Sequence, residues 1–286
     1  MSEFDTTGPI DVTVEFAVGD LRITAGDRPG TLVEVRPSDP GSDRDVRAAE
    51  QTRVECADGR LLVRGPKQTG FGLFGKPGSI DVEITVAAGS RLRSTTGVAS
   101  VQSAGTLGEC RIKTGVGAIR VQRAAAIEVS SGSGDVEIEE ADGFVEVTTG
   151  SGSLRLDLLH GAAVTKNSNG VTRVGSVTGD LRAAASNGDV LIGDAAAGVV
   201  ASTANGNIRI GSVSNGEVSM KTALGELEVG VPSGTAAYLD LHTSFGTVRN
   251  NLDASPAPAP GEPAVEVHAR TSYGDIVVRR PSRSNA

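Results

Sequence analysis

The stretch GSGDVEIEEADGFVEVTTGSGSLRLDLL, residues 132–159, decides the fold. Within it, Gly134-Asp135-Val136-Glu137-Ile138 and Gly152-Ser153-Leu154-Arg155-Leu156 are one five-residue phrase written twice, 18 residues apart. Apolar and polar residues alternate after each glycine, the pattern of a strand with one buried face. Outward from this stretch the glycine recurs as Gly117, Gly134, Gly152, Gly170, Gly188 and Gly206, with spacings of 17, 18, 18, 18 and 18. It continues as Gly225, Gly246 and Gly274 at wider spacings of 19, 21 and 28.

With that glycine as origin, the neighbouring positions form chemically uniform columns. Ile119, Val136, Leu154, Thr172, Val190, Ile208, Leu227, Val248 and Ile276 stand two places after it. Cys110, Ile127, Val145, Ala163, Leu181, Val199, Val218, Leu239 and Val267 stand seven places before it and give each unit a second strand. Two strands of this size cannot bury their own apolar side, so successive coils must stack and share one core. The pattern predicts an all-β, single-stranded β-solenoid with coils of about 18 residues, stacked in sequence order with equivalent strands parallel. Right-handed winding follows from the crossover rule. No helix longer than two turns is expected. The chain reads as one solenoid domain, 1–286: irregular coils and a cap over 1–90, regular coils over 91–252, a proline-rich loop over 253–264 and a final coil over 265–280. A hexapeptide helix is excluded by the nine-residue half-period of Val145, Val147, Leu154 and Leu156. A calcium β-roll is excluded because Val136 stands where that repeat needs its aspartate.

Composition agrees with a fold built on small residues. Glycine is 38 of 286, aromatics are 3% and tryptophan is absent, which disfavours a globule packed around large side chains. A net charge of −8 repels phosphate backbones and anionic head groups, so nucleic-acid binding is not expected, and no stretch approaches the ~18–20 apolar residues that span a bilayer, so neither is direct membrane insertion. Met1 to Asp11 has neither a basic start nor an apolar run, which reads as a cytoplasmic protein. Cys56 and Cys110 lack the spacing of a zinc site or a disulfide framework and read as reduced, with Cys110 in an inward column.

The position before the glycine carries Asn169, Asn187 and Asn205, which stack as a ladder, and then Leu224, Phe245 and Tyr273, where the ridge turns apolar. A column of hydroxyls three places before it, Thr114, Ser131, Thr149, Thr203, Thr222, Thr243 and Thr271 among them, reads as a structural ladder. The position after it holds Asp189 and Glu226, two coils and about 9.6 Å apart if strands are spaced ~4.8 Å, the separation that a glycan-cleaving β-helix would need. Aspartate is also an ordinary turn residue, and the chain has few aromatic platforms for sugars. His160, His242 and His268 occupy three different columns, so no metal cluster is expected, and no cofactor site or catalytic residue is assigned. Phe71 and Phe74, in the glycine-flanked loop FGLFG, read as a lid over the core or a contact site. A partner surface is therefore expected at Phe71, Phe74, Leu224, Phe245 and Tyr273.

The segments VEFAVGDLRI (14–23), RVECADGRLLV (53–63), GSIDVEITVAAGSRL (78–92), KNSNG (166–170), TANGNIRIG (203–211) and ARTSYGDIVVRR (269–280) together resemble the bacterial putative-adhesin, or toastrack, domain in its stand-alone actinobacterial form. The resemblance implies a β-solenoid without known enzymatic activity, associated with envelope-stress or membrane-linked systems. It implies a scaffold or interaction module with a protein partner and brings no catalytic residues. A glycan-binding or glycan-cleaving β-helix is the alternative. The sequence leaves the oligomeric state open.

Overall fold

A computed structural model describes residues 1–66, 77–253 and 263–281, which form two compact units, Met1–Asp142 and Gly143–Ala286. Each is described by itself.

The first unit contains β1 (Ser2–Phe4), β2 (Asp11–Gly26), β3 (Thr31–Pro37), α1 (Asp43–Gln51), β4 (Arg53–Ala57), β5 (Arg60–Arg64), β6 (Ser79–Ala87), β7 (Arg91–Val116), β8 (Ile119–Ser133) and β9 (Val136–Ala141). β2 makes a full coil by itself, with Gly19 at φ +141° within it. On one side Val12 and Leu21 pair in parallel with Leu92 and Val101 of β7. On the other, Val12 meets Leu61 of β5 and Leu21 meets Val82 of β6. All six side chains are 2% exposed or less, so apolar residues at alternate positions build a continuous core. The first coil in sequence thus lies between β5 and β6 on one side and β7 on the other, which corrects the expected sequential stacking.

The cap of this unit also departs from the repeat. β4 runs antiparallel on β5, β3 antiparallel on β6, and β1 antiparallel on β3. α1 packs on β3 and β6. At nine residues it is longer than the two turns allowed by the sequence, a second correction. Asp43 and Asp45 sit in its first turn, where carboxylates favour the helix N-terminus, and Asp45 accepts the Ser79 N–H at 3.0 Å, tying helix to strand. Only Ala48 of the helix is buried, so hydrophobic periodicity had little to announce it.

The second unit contains β10 (Val145–Ser151), β11 (Leu154–Leu159), β12 (Ala163–Asn169), β13 (Thr172–Val177), β14 (Leu181–Asn187), β15 (Val190–Ala195), β16 (Val199–Ser202), β17 (Ile208–Val213), β18 (Gly216–Leu224), β19 (Leu227–Gly230), β20 (Ala236–Phe245), β21 (Val248–Asn250), β22 (Ala264–Tyr273) and β23 (Ile276–Arg279). Up to β19 the coils stack in order and in the register of the columns: Val145 on Ala163, Ala163 on Leu181, Leu181 on Val199 and Val199 on Val218. The fold is the predicted β-solenoid. Order then breaks. β22 pairs with β18, Val267 on Val218, and β20 pairs with the far side of β22, Leu239 on Val267. β23 likewise lies between β19 and β21. The coil that is last in sequence is inserted one place in from the end, and the coil 236–250 is the end coil. Residues 254–262, most of the proline-rich loop, lie outside the described residues.

Candidate functional site

The insertion of β22 determines what the apolar ridge looks like. Leu224 pairs with Tyr273, and Tyr273 with Phe245, so the three follow one another over three coils with Tyr273 in the middle rather than at the end. Their exposures are 50, 54 and 63%. The rings of Tyr273 and Phe245 stack nearly parallel, centroids 4.8 Å apart at 7°. Such a pair adds roughly 0.5–1.5 kcal/mol beyond its buried area, yet one face of the ridge stays open to solvent. Phe71 and Phe74 lie outside the described residues.

Next to the ridge stands the asparagine ladder. Asn187 Nδ2 donates to Asn169 Oδ1 at 3.0 Å, and Asn205 Nδ2 to Asn187 Oδ1 at 2.9 Å. Asn205 is bridged to Leu224, so polar rungs give way to apolar ones in a single step. The reason for small polar residues here is the adjoining glycine, held at φ +143° in Gly188 and +149° in Gly206, conformations that side chains rarely adopt. In the later coils the hydroxyl column serves that glycine, whereas the buried hydroxyls of Ser131 and Thr149 have no hydrogen-bond partner among the described residues. Thr203 donates to the Gly188 carbonyl at 3.1 Å, Thr222 to Gly206 at 3.0 Å and Thr271 to Gly225 at 3.1 Å. These threonines bond the glycines of the adjacent coil rather than one another.

The acidic column is also structural in its bonding. Asp189 Oδ1 accepts the Asn207 N–H at 2.8 Å, Asn207 Oδ1 accepts the Glu226 N–H at 2.8 Å, and Asp275 Oδ1 accepts the Thr247 N–H at 2.8 Å. Asp189 and Glu226 are two rungs of this stitch with Asn207 between them. The Asp189 carboxylate is turned along the stack to the next backbone, whereas Glu226 enters the stitch through its backbone N–H.

His242 and His268 lie on the adjacent strands β20 and β22, where His242 pairs with Arg270 and His268 with Asp240, closer than three unrelated columns implied. His268 sits between Asp240 at 3.3 Å and Glu266 at 3.0 Å, and the hydrogen bond to Asp240 leads in raising its pKa above the ordinary value. Cys110 is fully buried and its thiol is pushed up to about 12 by burial, with the Glu109 charge adding to the effect. The half-buried Cys56 is raised by burial as well. Sequence reasoning missed the exposed Val248, at 42%, because sequential stacking would have covered its coil, and it missed Tyr238, at 65%, which stands on the outward face with Asp240 and His242. The available signal was the 28-residue spacing before Gly274.

The architecture is a short-coil β-solenoid whose surface chemistry gathers into a polar ladder and an apolar ridge. No family model matches the chain, and no curated protein does. Among solved structures it is similar to a putative adhesin of Parabacteroides distasonis, at 16% identity over 80% of this chain and 95% of that one, with a TM-score of 0.48. A putative adhesin of Parabacteroides merdae is similar at 13% identity, over 80 and 94%, with a TM-score of 0.47. A putative lipid binding protein of Parabacteroides distasonis is similar at 11% identity, over 80 and 95%, with a TM-score of 0.41. The two adhesins carry the name of the domain that the motifs 14–23 through 269–280 resemble. Among the described residues no helix is long and apolar enough to cross a membrane.

Proposed function

We propose that the protein is a non-enzymatic interaction module that holds a protein partner against the ridge Leu224–Tyr273–Phe245. One observation carries this reading: three large apolar side chains, each at least half exposed, stand consecutively on a rigid parallel stack whose neighbouring rungs are asparagine. Aromatic anchors supply much of the energy of typical interfaces, and polar rungs beside them supply little at ~25 cal/mol per Å² of apolar area. The resemblance in the motifs adds a setting, a membrane-associated or envelope-stress regulatory complex. The glycan reading has weaker support, since Asp189 and Asn207 are engaged in backbone stitches.

Affinity purification from the native host tests the reading, comparing the wild type with a Phe245→Ser, Tyr273→Ser variant shown to fold by circular dichroism. Loss of a specific partner in the variant is expected, and an unchanged partner list refutes the ridge. A polysaccharide panel is expected to show no turnover. Hydrolysis abolished by Asp189→Asn would replace the module with the enzyme.

A further inference from the structure

The end coil of the second unit has neighbours on one side only. β20 pairs with β22 and β21 with β23, and neither has another partner among the described residues. The core columns emerge at this end: Leu239 and Leu241 are only half-buried and Val248 is 42% exposed, whereas Val267, Ala269 and Ile276 one coil inward are 0% exposed. The free edge can also form hydrogen bonds. Val145, Ala163 and Leu181, in the column of Leu239, donate their N–H groups to the coil that follows them. By the two-residue period, Leu239, Leu241 and Thr243 therefore present N–H and C=O on the side of β20 where no coil follows. The strand AAYLDLHTSF has ten residues and carries no proline, lysine or arginine that would blunt such an edge.

We propose that this edge is a two-fold interface with a second copy of the chain, β20 running antiparallel to β20 of the second copy about Leu241. Strands related by a two-fold that keep paired side chains on one face must be centred on a residue. Centring on Asp240 sets carboxylate against carboxylate. Centring on Leu239 sets Asp240 against a tyrosine and Leu241 against an alanine. Centring on Leu241 sets Asp240 opposite His242 of the second copy, twice over, with Leu241 on Leu241 and Leu239 on Thr243. That register is the complementary one, and it also brings the free N–H and C=O groups of Leu239, Leu241 and Thr243 into facing pairs. Among the described residues His242 has no hydrogen-bond or ion-pair partner within its own chain, while Asp240 is held by His268 and by Arg270 at 3.2 Å and keeps lone pairs for another donor. An edge about 33 Å long and an end face about 20 Å deep would cover about 600 Å² per copy, about 1,200 Å² in total, at the lower bound for a stable specific interface.

The interface goes beyond the partner ridge, and its test leaves Leu224, Tyr273 and Phe245 unaltered, so the two readings fail separately. The experiment is sedimentation equilibrium of the full chain from about 1 to 100 μM, the range in which an interface of this size associates. The wild type is expected to be dimeric at the upper end. His242→Asp places like charges opposite each other at two symmetric positions and is expected to weaken the dimer about tenfold or more. Leu241→Lys, with an ammonium on the axis facing its own copy, is expected to be monomeric throughout. If Leu241→Lys does not fold, His242→Asp, exposed in the monomer, decides alone. A wild type that stays monomeric at 100 μM overturns the proposal, and so does a dimer that His242→Asp leaves unchanged.

Discussion

Gly188 shows what a single residue of the repeat must satisfy. At φ +143°, an added Cβ would stand 2.1 Å from the carbonyl oxygen of Gly170 in the coil before it. Gly188→Ala is expected to cost about 2–4 kcal/mol, combining backbone strain with a contact that neither backbone can yield, measured by urea unfolding. Sequence spacing identified this glycine, because only a residue without Cβ recurs so strictly. Its partner was not legible. The hydroxyl of Thr203 was expected within a ladder of hydroxyls, yet it reaches the Gly188 carbonyl, since columns show which residues stack but not which backbone atom faces them. Cys110 was fully legible, with apolar residues above and below it in its column. Its thiol, pushed up to about 12, is expected to resist a thiol reagent in the native protein and to react only as fast as the chain opens, with Cys56 labelled first. Fast native labelling at Cys110 would contradict the burial.

At the scale of elements, ion pairs hold the late coils together across strands. Glu228 on β19 lies between Arg209 on β17 and Arg279 on β23. Burial alone would raise its pKa, but the Arg279 hydrogen bond and the charges of both arginines outweigh burial and lower it. A depressed carboxylate contributes stability above its unfolded pKa and loses it as pH falls through the folded one. Glu228→Gln is therefore expected to destabilise the second unit by about 1–2 kcal/mol at neutral pH, with the gap to wild type closing in acid. His268 works in the opposite sense. Its pKa is raised, so its tie to Asp240 on β20 is complete below the ordinary value of 6.5 and is lost as pH rises through the folded value. Amide exchange in β20, corrected for base catalysis, is expected to quicken as pH rises above 6.5, and His268→Gln is expected to abolish that quickening. The strands that carry these groups followed from period-two alternation. α1 and the antiparallel strands over 31–64 did not, because their residues belong to no 18-residue column and the helix buries a single alanine.

For the whole molecule, the order of coils is the feature that sequence columns cannot encode. Every coil offers the same apolar columns to its neighbours, so β22 fits against β18 as well as β20 would, and register survives a change of order. In each unit a terminal segment takes the inner place: β2 lies between β5–β6 and β7, and β22–β23 between β18–β19 and β20–β21. Chain ends usually tolerate removal because they are weakly held. Here the expectation reverses. Truncation of residues 264–286 takes away the only strands on which β20 and β21 pair among the described residues, and would leave Val218, Met220, Leu227 and Val229, all 1% exposed or less, as the new end. Excision of residues 235–262 removes the end coil instead and keeps β22 and β23 seated on β18 and β19. The excised chain is expected to retain the far-ultraviolet spectrum of a β protein and a cooperative melt at a modestly lower temperature. The truncated chain is expected to melt far lower or aggregate, since it loses a doubly paired coil together with the support of the coil beyond it. Equal melting temperatures for the two shortened chains, or a more stable truncation, would show that the last coil is not inserted.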